Sequence, residues 1–137
     1  MTDESMQRAI RVKTDPDPYE QYLIAQAYRV GNLIFVSGQT ASDEAGESVY
    51  DTFDTQADSA FENLRKVLEA GGSSLEKIIK VNIYLTDMAN FPKIIELRRR
   101  YFTPPYPADT IVEVGALALP QLMIEIEAVA LVEGVVG

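Results

Sequence analysis

Alternation of apolar and polar positions dominates the last third of the chain. Asp109 to Leu117 and Leu122 to Val132 are rich in Val, Ile and Leu with a period of two, and a short turn containing Pro120 joins them. That period is the signature of strands, and the two runs are expected to form a closing hairpin. A first hairpin is predicted from Ala25–Val30 and Leu33–Ser37, with Gly31-Asn32 as its tight turn. Between Thr55 and Gly71 the period changes to 3.6, with Ala57, Ala60, Phe61, Leu64, Val67 and Leu68 on one stripe. This predicts a helix, with Thr55-Gln-Ala-Asp58 as a capping box and Gly71-Gly72 as a left-handed stop. Asp43-Glu-Ala-Gly46 reads as a loop ahead of it.

Lys77 to Leu85 reads as another strand, with Ile79, Val81, Ile83 and Leu85 on one side. Asn90 is placed to cap a second helix carrying Pro92 in its first turn, with Ile94, Leu97 and Tyr101 toward the core. Pro104-Pro105 closes it, because proline cannot continue the helical ladder. Residues 1–18 are polar and end in Asp15-Pro-Asp-Pro18, which reads as an arm docked across the body or a neighbour. The expected organisation is that arm, one domain over 19–133, and a tail over 134–137.

The order strand, strand, helix, strand, helix, strand, strand predicts an α+β fold: a single mixed β-sheet with two helices packed on one face. The last strand alternates Leu122, Ile124, Ile126 and Ala128 on one side with Met123, Val129 and Leu131 on the other, beside Glu125 and Glu127. Apolar residues on both faces imply that a second subunit covers the face without helices. The expectation is an obligate oligomer with a cleft between subunits.

At 137 residues the chain suits one domain. Its runs of apolar residues fall short of the ~20 that a membrane helix needs, and Met1-Thr-Asp-Glu-Ser-Met6 is too acidic for a signal peptide, so a cytoplasmic location is expected. The chain contains no cysteine and no histidine. That excludes a thiol nucleophile, a Ser-His-Asp triad and zinc sites built on imidazole or thiolate. Acid–base work falls to carboxylates, tyrosines, lysines or the backbone. The net charge of -9 disfavours nucleic-acid and membrane partners. Arg98-Arg-Arg100, near a helix C-terminus, reads first as surface or inter-subunit ion pairing.

Four stretches carry a family resemblance: Val30-Gly-Asn-Leu-Ile-Phe-Val-Ser-Gly-Gln39, Asn63-Leu-(x)3-Leu68 with Gly71-Gly72, Lys80-Val-(x)4-Thr-Asp-Met88, and Tyr106-Pro-Ala108 leading to Glu125-Ile-Glu-Ala128. From about Ala25 to Val132 the chain resembles the Rid family, the YjgF or L-PSP-like proteins. The resemblance implies a chorismate-mutase-like fold and a homotrimer with three inter-subunit clefts. It also implies cofactor-independent, metal-free hydrolysis of enamines and imines, such as 2-aminoacrylate, to ketoacids and ammonia. Glu125 matches the glutamate expected to position or activate water, and Ser37 and Gly38 match the backbone segment lining the cleft.

The departures from the family pattern are specific. The arginine that clamps a substrate carboxylate after Pro-Ala is replaced by Asp109, which would repel one. The tyrosine expected before the first strand aligns with Ile24, and an asparagine of the second helix aligns with Ile95. If Asp109 and Glu125 converge, they are expected to share a proton. The implied function is a hydrolytic deaminase whose preference differs from 2-aminoacrylate. The alternative is a trimeric binding module with an apolar cleft of Ile24, Ile95 and Ile111 that holds a small molecule without turnover. An endoribonuclease is disfavoured by the charge and the missing histidines.

Overall fold

In the computed structural model, residues 8–43 and 51–137 are described. The arm's first seven residues, and the expected Asp43–Gly46 loop beyond Asp43, lie outside them. The strands are β1 (Ala9–Val12), β2 (Ala27–Val30), β3 (Leu33–Gln39), β4 (Ile78–Leu85), β5 (Ala108–Glu113) and β6 (Ile124–Leu131). The helices are α1 (Phe53–Ala70) and α2 (Phe91–Tyr101). The six strands form one mixed sheet in the order β1-β2-β3-β6-β4-β5, antiparallel except for the parallel β4–β5 pair. Among the described residues no helix is long and apolar enough to cross a membrane.

Two expectations about connectivity are corrected. The final pair of strands is not a hairpin: β4 lies between β5 and β6, and β5 joins β4 in parallel. Burial supplies the reason. Ile124, Ile126, Ala128 and Ala130 of β6 are buried, whereas β5 buries no residue fully. The more apolar strand takes the sheet centre and the other takes an edge. The second correction is at the arm, where Ala9–Val12 forms strand β1 against β2. Gln26, almost fully buried, holds the chain that follows: its side-chain oxygen accepts from the Thr14 amide (2.7 Å).

Helix α1 buries its predicted stripe, with Ala57, Ala60, Phe61, Leu64 and Leu68 wholly inaccessible. Its cap is Thr52, whose hydroxyl accepts from the Thr55 amide (3.3 Å), rather than the box beginning at Thr55. Gly72, at φ +83°, supplies the left-handed stop. Asn90 stands at the start of α2 but makes no side-chain cap; the Asp87 carboxylate caps the preceding 3-10 turn by accepting from the Ala89 amide (2.9 Å). In β4 the register slips between Ile78 and Lys80, so Ile78 rather than Ile79 joins Val81, Ile83 and Leu85 in the core. Ile94 and Leu97 of α2 enter the same cluster, so both helices cover one face of the sheet.

Gln56 is buried in the middle of this apolar layer. Its amide group donates to the Gln121 carbonyl (3.0 Å), and its oxygen accepts from the Met123 amide (2.9 Å), pinning the β5–β6 connection to α1. Gln56→Leu would leave both backbone groups unpaired. We expect a loss of about 1–3 kcal/mol, measured as a lower urea midpoint with unchanged slope.

Candidate active site

On the sheet face opposite the helices, a cavity of about 630 Å³ opens between β3, β6 and the turn preceding β2. Its lining includes Glu125 and Glu127 of β6, Ser37 and Gly38 of β3, Tyr19, Tyr22 and Ile24 from the turn, and Leu119 and Leu122 from the β5–β6 connection.

Local backbone chemistry explains this convergence. The Asp17 carboxylate accepts from the Tyr19 amide (2.9 Å), and the chain then makes a 3-10 turn at Glu20–Tyr22. Leu23 follows in the left-handed region at φ 60°, with its amide bonded to the Glu20 carbonyl. This compact reversal keeps both Tyr19 and Ile24 at the cavity. The Tyr19 hydroxyl donates to the Gly38 carbonyl (2.5 Å). Burial, then the nearby carboxylates of Glu125 and Asp17, push its phenol well above the usual range, so it remains a donor.

Between Val36 and Gln39 the register of β3 against β6 is irregular. Gly38 sits in that irregularity, and the space a Cβ would occupy is taken by Glu125, whose carboxyl carbon lies 2.7 Å from it. Ser37 is fixed beside it, its amide donating to the Gln26 carbonyl (2.9 Å) and its hydroxyl to the Ala25 carbonyl (2.7 Å). The hydroxyl proton is therefore committed, and the oxygen serves a ligand as an acceptor.

Glu125 is half-buried at the base of the cavity. Burial first, and the neighbouring Glu127 second, raise its carboxyl above the ordinary glutamate range. Glu127 is held by two donors, the Tyr84 hydroxyl and the Asn82 amide (3.1 Å). Their hydrogen bond to Glu127, aided by partial burial, keeps the Tyr84 phenol protonated, with its pKa pushed up to about 12. The arrangement is one carboxyl raised by burial beside a second glutamate whose Oε1 is anchored by two donors, in a cavity lined in part by apolar side chains.

Within one chain Asp109 and Glu125 do not converge. Asp109 stands opposite Val81, which is buried beneath the helices, whereas Glu125 stands opposite Tyr84 on the other face. The sheet separates the two carboxylates. Asp109 is held instead by Arg98 of α2, whose Nε and Nη2 both lie 3.0 Å from one oxygen. The second carboxylate oxygen of Asp109 is buried without a hydrogen-bond partner. Arg99 pairs with Glu96, and Arg100 with Asp58 of α1, so the basic run is spent on ion pairs within this chain.

Of the residues expected at the site, Glu125, Ser37, Gly38 and Ile24 come together. Ile111 is partly buried against the core and Ile95 is exposed on α2; within one chain they join Asp109 and Arg98 at the β5–α2 edge, not the cavity. Tyr19 and Tyr84 join the site without any signal in the local pattern, whereas Glu127 is legible as a mid-strand carboxylate. Glu127 carried the clearest signal, lying two residues from Glu125 on the same strand face.

The raised carboxyl of Glu125 has a thermodynamic consequence. The folded chain holds this proton more tightly than the unfolded one, so the stability it contributes is complete below the ordinary glutamate range, about 4.3, and is lost as pH rises through the folded value. A glutamine cannot ionise and loses nothing. The melting temperature of Glu125→Gln, relative to wild type, should therefore climb as pH rises above the ordinary glutamate range, about 4.3. Thermal melts at matched ionic strength check this; a flat difference would contradict the raised value.

Sequence and structure comparisons agree with this architecture. The family profile described as Endoribonuclease L-PSP matches residues 12–132. A RutC family protein of Pyrococcus horikoshii is 39% identical over 126 residues, covering 91% of this chain and 98% of that protein. A 2-iminobutanoate/2-iminopropanoate deaminase of Dermatophagoides farinae is 33% identical over 131 residues, covering 94% and 99%. The crystal structure of RidA from an Antarctic Psychrobacter superposes with a TM-score of 0.81 at 36% identity, covering 88% of this chain and 97% of that one. Matched from β1 to beyond β6, with relatives that it spans almost end to end, the chain belongs to the Endoribonuclease L-PSP family, the YjgF or Rid proteins.

Proposed function

We propose that the protein is a hydrolytic deaminase of reactive enamine or imine intermediates, with a substrate preference different from 2-aminoacrylate. The observation that carries this reading is Glu125, a carboxyl that holds its proton above the usual range at the base of a cavity large enough for a small molecule. The name of the mite relative supports the same chemistry.

The reaction needs one group that gives and takes a proton. A protonated Glu125 delivers its proton to the enamine carbon or the imine nitrogen, producing an iminium. The resulting carboxylate takes a proton from water as the water oxygen bonds to the iminium carbon. The carbinolamine then breaks its C–N bond, its nitrogen leaving as ammonia once protonated, and the hydroxyl becomes a carbonyl. Glu127, fixed by Tyr84 and Asn82, stabilises the passing iminium charge.

The differing preference rests on position 109. Asp109 occupies the place where the resemblance calls for a cationic clamp, and it is already bonded to Arg98. Assembly as a homotrimer belongs to the same proposal. Phe35, 45% exposed, stands with Tyr28 on the strands beside the cavity, an apolar surface suited to a second copy. A neighbour's β5–α2 edge would then bring its Asp109, Ile111 and Ile95 to the open side of the cleft.

The test is ammonia release from enamines and imines generated in situ by a lyase or an oxidase, with and without the protein. Acceleration of at least one substrate is expected. No acceleration across the panel, with the protein folded, would leave a binding module in place of an enzyme.

A further inference from the structure

The charges and walls of the cavity say more about the substrate than the proton-transfer group does. Two glutamates, Glu125 and Glu127, line it, and among the described residues that line it there is no lysine or arginine. Tyr19 and Ser37 do not compensate, since each spends its hydroxyl proton on a backbone carbonyl, of Gly38 and Ala25. A ligand carboxylate placed here would face negative charge and no free cationic donor. At the β5–α2 edge Arg98 is matched by Asp109, and Lys80 donates one hydrogen bond to the Thr110 hydroxyl (2.7 Å). The apolar and aromatic part of the lining is formed by Tyr22, Ile24 and Leu119, which are exposed, and by Leu122, which is buried.

We propose that this site takes imines without a carboxylate, in which the C=N carbon bears an aryl-containing or branched alkyl group and the nitrogen carries only hydrogen. The inference rests on the deaminase reading and specifies its substrate class. The iminium nitrogen lies toward Glu125 and Glu127, where its charge is matched, and the apolar group packs against Tyr22, Ile24, Leu119 and Leu122. Hydrolysis adds water across C=N and releases ammonia with an aldehyde or ketone, so the product carries no charge and leaves a negatively charged cavity without hindrance. A substrate of this kind derives from an amine rather than an amino acid.

A matched pair isolates the carboxylate. Phenylethanimine, generated from phenethylamine by a flavin amine oxidase, and 2-imino-3-phenylpropanoate, generated from phenylalanine by an amino-acid oxidase, differ only in that group. We expect kcat/KM to favour phenylethanimine by at least about tenfold, and Glu127→Gln to shrink that ratio by removing the Glu127 charge. Equal or better use of the carboxylate imine would overturn the proposal. Calorimetry separates this result from failure of the deaminase reading, because it needs no turnover. Phenethylammonium should bind more tightly than 3-phenylpropanoate, and the preference should weaken in Glu127→Gln. Tighter binding of the anion would sink the inference even if the protein proved to be a deaminase.

Discussion

Replacing Glu125 by glutamine should lower kcat/KM for imine hydrolysis by about 10²–10⁴ without unfolding the protein, since a positioned acid–base group typically contributes that much. Glutamine keeps the shape of the side chain packed against Gly38 and removes only its ability to exchange a proton. Glu127 is held differently, its Oε1 accepting from both Tyr84 and Asn82. The loss should fall chiefly on kcat, since the ligand still meets the same walls, and the fall in rate that the wild type shows as pH rises and Glu125 gives up its proton should be absent from the variant. Pre-steady-state ammonia release at several pH values would decide. A variant that keeps most of the wild-type rate and its pH profile would move proton transfer away from Glu125.

The local pattern of the chain revealed most elements but not their pairing. Helix α1 was legible because its stripe must bury one face, and the structure buries that stripe. The alternation in β6 was legible for the same reason. The partner of a strand is a different matter. Nothing in the spacing of Asp109 to Glu113 says that this segment runs parallel to β4 rather than antiparallel to β6, because that choice depends on which strand most needs the sheet centre. Strand β1 escaped notice because four residues with one buried side chain give too short a signal.

The site divided along the same line. Glu125, Ser37 and Gly38 were found because each lies inside a quoted motif. Tyr19 was passed over because alignment by chain position puts Ile24 where a tyrosine is expected, whereas folding of the intervening turn brings both residues to the cavity. Asp109 is expected at the cleft from its place in the motif, and its face within one chain depends on which strand its own strand joins. Once β5 is set beside β4, its position opposite Val81 sends the side chain toward α2 and Arg98. Facing residues follow from register, and register is a property of the sheet rather than of either segment.

Gly38→Ala should lose about 10²-fold in kcat/KM while changing the melting temperature little. A Cβ at this position would lie 2.7 Å from the Glu125 carboxyl carbon and 3.0 Å from both Cγ and Oε2, distances no packed side chain sustains. The backbone at Gly38 lies outside the left-handed region, so alanine brings no strain of its own. The obstacle it meets is the end of a flexible, half-buried side chain, which can swing away at small cost in stability. The displaced carboxyl is what activity cannot tolerate, since a shift of about 1 Å in a reacting group is worth about 10²-fold. The Tyr19 hydroxyl also bonds to Gly38, through its carbonyl, so a second route to the same loss exists. The double variant Gly38→Ala/Glu125→Gln distinguishes them. If the methyl group acts by displacing Glu125, it should cost nothing further once the carboxyl is gone, and the two losses will fail to add. Full additivity would instead place the effect of Gly38 in the backbone that Tyr19 holds.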